Sequence, residues 1–341
     1  MASPRLSGSL LVCLPGPLAM WCYGLVDHVA AKAGVSVRQF DRADDIAAGK
    51  PANIYMCQFP SLSAIDAVRD GRLNAVFVAQ DPIWNVAEAI QAGKPPLEAI
   101  RAITASATAN LAIGSTSRSR LVFPAFEESA SGVARRLLMA LGLPSDPATL
   151  AAAREPIARG LNPDAPLGDV LSRISGHPRP QLPSEVVREV VAKVTAALMA
   201  FAQGERGYPV IWPTEVYFSG DRPNEPVETV SDVTGPSRVM IYGPYLHLPP
   251  ARYVVEIIIT FAGRIEDIPF LLELHGGPTC LTCVRLDGRR SGSYRGSFDV
   301  TVTEILSGIE VRLRNERGAI EGEVALSELR FYASDDERAF S

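Results

Sequence analysis

Residues 12–21 read VCLPGPLAMW: an apolar run, a Pro-Gly-Pro break and a second apolar run. The reading of this stretch decides the first half of the chain. SLLVCLP (9–15) has no alternating polar face, as in a strand buried on both sides, and LAMWCYGLVDHVAAKAG (18–34) has helical character and is closed by Gly34. The same order recurs downstream. VSVRQF (35–40), ANIYMCQF (52–59) and LNAVFVAQ (73–80) read as strands, while PSLSAIDAVRDG (60–71) and DPIWNVAEAIQAG (81–93) read as helices. Strands without a polar face, each followed by a helix, are what a parallel sheet covered on both sides requires. An α/β domain is therefore predicted.

From about residue 95 to 205 the signals are mostly helical. SGVARRLLMALGLP (131–144) is amphipathic, and PSEVVREVVAKVTAALMAFAQG (183–204) has Ser184 as N-cap with Val186, Val190, Val194, Leu198 and Phe201 on one face. Residues 144–183, rich in Pro, Gly and Asp, read as a long excursion or lid rather than core. Proline density marks 208–229 as a linker. Beyond it, strand-like runs spaced by Gly and Pro predict an antiparallel, jelly-roll-like β-sandwich over 230–341. The expected organisation is an α/β domain with helical extension (1–207), a linker (208–229) and the sandwich (230–341).

At 341 residues and 47% hydrophobic, the chain can bury two cores. A net charge of -5 gives no long-range attraction to nucleic acid or an anionic membrane. Five cysteines, Cys13, Cys22, Cys57, Cys280 and Cys283, are an odd number and favour free thiols in a reducing compartment. Residues 10–26 are apolar enough to suggest a signal-peptide core, but Pro15, Gly16 and Pro17 break the run, so a cytoplasmic location is expected, with no membrane span.

Three stretches together resemble bacterial sulfotransferases, enzymes of the P-loop fold that move sulfate from PAPS onto hydroxyls. They are LPGPLAMW (14–21), VFVAQDPIWNVAEAI (76–90) and FPAFEESASGVARRLLMALGLP (123–144), in that order over about the first 145 residues. The resemblance implies a phosphate loop after the first strand, an Arg-Asp-Pro turn after a later one, and PAPS as donor. This chain departs from the pattern where charge is needed. Pro15 and Pro17 remove two N–H donors, and no cation or hydroxyl lies between Pro15 and Trp21. Gln80 stands in the place of the family's Arg and Glu88 in that of its Ser; Asp81 and Pro82 remain and shape the turn. A neutral amide forfeits a charge-assisted contact, and a carboxylate repels phosphate. The donor site is thus read as degenerate, retaining Gly16 and Gln80, with Arg118 and Arg120 of GSTSRSR (114–120) as substitute cations.

Candidate acids or bases are His28, also readable as a helix-surface histidine, and Glu127; Glu127 and Glu128 also read as solvated acids at a helix start. Trp21 and Trp84, each just after a strand end, are candidates for lining a pocket or for packing the core. In the second half, the opening GPY-x-x-LPP-x-x-Y (243–253) resembles small β-sandwiches appended to bacterial glycan-handling enzymes. Tyr242, Tyr245, His247 and Tyr253 crowd this stretch, and aromatic rings stack on sugar faces. Tyr242, Tyr245, His247 and Tyr294 are the glycan-binding candidates, with Arg285 and Asp287 as added hydrogen-bonding groups. The CLTC of 280–283 has metal-ligand spacing with His275 nearby, but strand residues three apart face opposite sides, so no metal site is expected.

The two halves together suit work on, or recognition of, a bacterial surface polysaccharide. The chain is read either as a glycan sulfotransferase or other group transferase with an atypical donor, or as a non-catalytic scaffold of a polysaccharide-assembly complex. An enzyme requires a cleft at the strand ends near Gly16, Gln80 and Trp84 with a basic residue reaching in. A scaffold would fill that cleft, and a self-associating protein would expose an apolar patch on its helices.

Overall fold

A computed structural model of the chain describes residues 8–40, 52–114, 119–178, 180–205, 207–265, 268–288 and 290–334. The chain divides into two compact units, Met1–Leu182 and Pro183–Ser341.

The first unit is built on a parallel sheet of β1 (Ser9–Cys13), β2 (Val37–Phe40), β3 (Ile54–Cys57), β4 (Asn74–Val78) and β5 (Ser119–Val122), in the order β2-β3-β1-β4-β5. Alternate residues of each inner strand serve different faces. Leu11, Cys13, Ile54, Met56, Val76 and Val78 pack into a core with α1 (Pro17–Lys32) and α5 (Ala130–Ala140). Their neighbours Leu10, Val12, Tyr55, Cys57, Ala75 and Phe77 are equally buried. The opposite side carries α2 (Leu62–Arg69), α3 (Pro82–Gln91) and α4 (Pro96–Gly114), the last closing on Phe77.

Residues 144–178 are not a lid. They form α6 (Pro147–Ala152), α7 (Arg154–Ala158) and α8 (Leu167–Ser175), whose Leu150, Ile157, Leu167, Val170 and Leu171 join the α1 core. The Pro and Asp residues that suggest a loop are helix punctuation. Asp146 caps α6 by accepting the N–H groups of Ala148 and Thr149, Pro147 occupies its first turn, and Pro166 precedes α8.

The second unit begins with α9 (Glu185–Ala202), capped as expected by Ser184 Oγ at Val187 N. Val194 and Leu198 are buried, but Val186 is exposed and Val190 and Phe201 are half-buried, so the apolar face is used mainly in its second half. A sandwich of two antiparallel sheets follows. One has the order β13-β10-β15-β6, from β6 (Val210–Pro213), β10 (Ala251–Ala262), β13 (Gly292–Val302) and β15 (Glu323–Ala333), with the short β8 (Ser231–Asp232) beside β15. The other has the order β12-β11-β14-β9-β7, from β7 (Phe218–Ser219), β9 (Val239–Leu246), β11 (Ile268–Gly276), β12 (Thr279–Gly288) and β14 (Ile309–Asn315). Strict burial alternation along β10 and β14 marks the inner faces, and Phe261 meets Phe270 across the sheets at 4.9 Å between ring centres. The stretch 208–229, read as a linker, supplies β6 and β7. Val210 and Trp212 are buried there, Trp212 lying 4.3 Å from Phe331, so apolar pairing outweighs proline content.

Tyr217, between β6 and β7, is 1% exposed, and its hydroxyl has no hydrogen-bond partner among the described residues. A desolvated, unpaired hydroxyl costs about 1–3 kcal/mol. Tyr217→Phe removes that cost without altering shape and is expected to raise the thermal midpoint; a lower midpoint in calorimetry would show that the hydroxyl has a partner.

No helix among the described residues is long and apolar enough to cross a membrane. Among the described residues, the exposed large apolar side chains of the helices, Met20, Leu62, Met139 and Val186, belong to four different helices.

Candidate functional site

Two places collect the residues singled out by the sequence, one in each unit. In the first unit, β1 leads to β2 on one side of the sheet while β4 leads to β5 on the other. Adjacent strands whose connections part in this way open a crevice at their carboxyl ends. A cavity of about 590 Å³ lies there, lined by Pro17 and Leu18 after β1, and by Gln80, Trp84 and Glu88 after β4. Phe126, Glu127, Asp169, Ser172 and Arg173 are the other polar and aromatic residues described along it.

The loop after β1 is shaped by an amide relay. The Pro15 carbonyl accepts from Asn85 Nδ2 at 2.7 Å, and Asn85 Oδ1 accepts from Gln80 Nε2 at 3.0 Å. A carbonyl can only accept, so it fixes the orientation of Asn85, and Asn85 in turn fixes that of Gln80. Gly16, at φ 145°, is the residue that permits this close approach, since a Cβ there would stand 3.1 Å from Asn85 Nδ2. The sequence reading did not foresee Asn85 as the link between the two loops.

Trp84 and Phe126 form one wall in an edge-to-face pair 5.1 Å apart. Glu88 is partly desolvated, which raises its carboxyl above the ordinary value, with His177 pulling the other way. Glu127 lines the cavity, whereas Glu128 is held by Arg136 Nη2 at 2.7 Å. Asp81 caps α3 through Ile83 N, with Pro82 in the first turn.

Several sequence candidates fall elsewhere. Trp21 is 0% exposed and donates from its indole to Ile157 O at 3.0 Å, a core residue rather than a pocket wall. His28 faces Ala152 O at 3.3 Å in a separate hollow beside Pro144 and Thr149. Arg120 lines a depression with Ser9 and Asn74, the first residues of β1 and β4, and so lies at the end of the sheet opposite the cleft. Arg118 lies outside the described residues. Among the described residues lining the cleft, the basic one is Arg173, supplied by α8.

In the second unit, the outer face of the β12-β11-β14-β9-β7 sheet carries a row of directly opposed residues. Phe218 pairs with Tyr242, Tyr242 with Arg312, Arg312 with Glu273, and Glu273 with Cys283. Opposed residues share a face. Phe218 and Tyr242 lie 5.4 Å apart, and Tyr245 stands 6.4 Å from Tyr242 in an edge-on arrangement. Tyr245 Oη donates to Glu310 Oε1 at 2.9 Å, and Arg312 Nη2 donates to Glu310 Oε2 at 2.7 Å. Burial acts to raise the Glu310 carboxyl, but these hydrogen bonds prevail and hold it below the ordinary range. Desolvation, reinforced by Glu310, pushes the Tyr245 phenol up to about 12. Tyr245 sits at φ 61°, a left-handed conformation that a bulky residue rarely adopts. Gly308 makes room for it, because a Cβ there would lie 2.8 Å from the Tyr245 carbonyl oxygen.

His275 lies beside this cluster, 3.4 Å from Glu273, and is opposite both Glu310 and Cys280. The strand pairing contains a bulge here: His275 opposes Cys280 while Leu274 opposes Thr282, leaving Leu281 without an opposite residue. Cys280 and Cys283 therefore share a face, contrary to the expectation from simple strand alternation. No group of three or more metal-ligating side chains occurs among the described residues. Arg285 and Asp287 lie farther along β12, Arg285 reaching Glu316 at 3.1 Å.

The other sugar-binding candidates are not part of this cluster. Tyr294 belongs to the opposite sheet, packing 5.9 Å from Phe261 and donating to Arg290 O. Tyr253 is fully buried. His247 is turned toward Leu306 O at 3.2 Å through Nε2, and its Nδ1 is buried without a hydrogen-bond partner among the described residues. Burial lowers its pKa, so the folded sandwich prefers the neutral ring. The stability this contributes is present above the ordinary histidine value of about 6.5 and is lost as pH falls below it toward the folded value. Urea midpoints measured between pH 7.5 and 5 are expected to fall for the parent protein and to fall less for His247→Asn.

No family model matches the chain, and no curated protein does. Three solved structures to which the chain is similar each match about a third of it. The C-terminal CBM6 of LamC from Zobellia galactanivorans matches at 15% identity and TM-score 0.25, over 36% of this chain and 98% of that one. TmCBM61 in complex with β-1,4-galactotriose matches at 12% identity and TM-score 0.25, over 36% of this chain and 91% of that one. An Eiger TNF structure from S. frugiperda matches at 10% identity and TM-score 0.22, over 33% of this chain and 96% of that one. The neighbours named include carbohydrate-binding modules, and none of those named is a sulfotransferase.

Proposed function

We propose that the sandwich recognises a glycan on the outer face of the β12-β11-β14-β9-β7 sheet. The observation that carries this reading is Tyr245, a bulky residue held in a left-handed backbone conformation with its ring 37% exposed and its hydroxyl anchored on Glu310. Strain of this kind persists only where the surroundings enforce it, and it places an aromatic ring at the surface beside Tyr242. Sugar rings stack their apolar faces on such aromatics, while Arg312, Glu310 and Glu273 offer charged groups already fixed by neighbours for hydroxyl recognition. The ligand class is a neutral oligosaccharide or polysaccharide of the bacterial surface.

For the first unit, the proposed ancestry is the P-loop sulfotransferase type with a degenerate donor site. Supporting loss of PAPS binding are Pro15 and Pro17, the amide relay that occupies the loop, and a cavity whose described lining carries three carboxylates against one guanidinium. On this reading the chain attaches a small-molecule or scaffolding unit to a glycan-recognising one.

The test is retention of the full chain on an array of bacterial polysaccharides and oligosaccharides, followed by calorimetric titration of the best ligand. Asparagine tolerates left-handed backbone, so Tyr245→Asn removes the ring with least disturbance. Affinity is expected to fall about tenfold or more, equivalent to about 1.4 kcal/mol. An array without a retained glycan, or unchanged affinity in the variant, would overturn the proposal.

A further inference from the structure

Gln80 brings a hydrogen-bonding side chain to the cavity of the first unit, where it is 8% exposed. Its Nε2 donates to Asn85 Oδ1, an orientation dictated through Asn85 by the Pro15 carbonyl. The amide keeps its carbonyl oxygen Oε1 as an acceptor, together with the second Nε2 hydrogen, so Gln80 can accept from a ligand in the cavity. The other polar side chains around the cavity favour the same kind of ligand. Glu88, Glu127 and Asp169 accept; the described lining also carries Ser172, whose hydroxyl donates to Gly168 O, and one guanidinium, that of Arg173, one helical turn from Asp169 on α8. The Trp84–Phe126 wall adds aromatic surface, which attracts cations through its negative faces.

A ligand suited to this lining donates hydrogen bonds, carries positive charge and has an apolar body. We infer that the cavity at the carboxyl ends of β1 and β4 binds a small organic ammonium compound, its charged nitrogen among Gln80, Glu88 and Glu127 and its body against Trp84. This site is independent of the sandwich, and its failure or success leaves the glycan reading untouched.

The inference can be tested on the full chain with matched probes that differ only at one group. Phenethylamine and glucosamine supply ammonium groups; 2-phenylethanol and N-acetylglucosamine supply their neutral counterparts; phenylacetate supplies the anion. Binding is read by ligand-observed NMR and by indole fluorescence. Trp21 and Trp212 are fully buried, which leaves Trp84 as the reporter at the cavity. At least one ammonium probe is expected to bind ten or more times tighter than its neutral partner, and to weaken with added salt. Glu88→Gln and Glu127→Gln are each expected to weaken it severalfold with circular dichroism unchanged, and Trp84→Phe to abolish the fluorescence response. Equal binding of the neutral partners, preferential binding of the anion, or no ammonium probe bound at 10 mM would overturn the inference. If one Gln variant fails to fold, the other carries the comparison.

Discussion

Trp21→Ala is expected to bring the first unit close to unfolding. The indole is 0% exposed, belongs to the core formed by α1, α5, α7 and α8, and donates to the Ile157 carbonyl at 3.0 Å. Truncating a buried tryptophan costs about 3–5 kcal/mol, and the orphaned carbonyl adds about 1–3 kcal/mol if water cannot reach it. Whole domains are stable by about 5–15 kcal/mol, so the loss is a large fraction of the total. Urea unfolding followed by far-ultraviolet circular dichroism measures it. A loss below about 1 kcal/mol, the scale of an ordinary surface substitution, would contradict this placement. Trp84→Ala makes the informative contrast, because its half-buried ring faces a cavity and its removal leaves the core intact.

The second large effect is expected at Gly220. A Cβ on this residue would stand 1.9 Å from the Val239 carbonyl oxygen, and the colliding atom is backbone, which cannot swing aside as a side chain can. Gly220 N also donates to Met240 O at 2.7 Å, so relief of the collision breaks a hydrogen bond. Overpacking typically costs about 1–3 kcal/mol, and Gly220→Ala belongs at or above the top of that range. The effect also reaches the proposed glycan face. Phe218 lies two residues upstream and opposes Tyr242, so displacement of β7 separates the two rings. Loss of near-ultraviolet dichroism together with weaker glycan retention is the expected result. An alanine variant with parental stability and dichroism would show that the backbone yields freely.

The sequence makes the alternation of strands and helices legible because buried parallel strands lack polar positions, as in Leu10–Cys13 and Ala75–Val78. The sandwich is legible for the converse reason, since β10 alternates buried and accessible residues along its length. Proline and aspartate mislead where they punctuate rather than interrupt: Asp146, Pro147 and Pro166 introduce short helices that reach the core. Pro209 and Pro213 flank or end a paired strand containing the buried Trp212. A cleft near Gly16, Gln80 and Trp84 with Arg118 or Arg120 reaching in is what an enzyme would require of the strand ends; the cavity there is lined by Gln80 and Trp84, and its described cation is a different arginine. Arg173 arrives from a helix some ninety residues after Gln80, and Arg120 is drawn to the opposite end by its place early in β5. Tyr242 and Tyr245 were identifiable by composition, whereas their partners Glu310 and Arg312 depend on a pairing between distant strands.

The bulge in β12 makes distance along the chain a poor measure of distance on the surface. Leu281 occupies a place in the sequence but none in the ladder, so Cys280 and Cys283 stand opposite His275 and Glu273 as though one residue separated them. At this one point the hairpin is indifferent to length. Omitting Leu281 leaves the facing pairs on either side in register, while omitting a residue from the regular run Val284–Asp287 turns the remainder of the strand over and exchanges its inner and outer side chains. Lineages can thus gain or lose a residue here without exchanging what the sheet shows to solvent, and a count of residues between the cysteines would register a change that the surface does not.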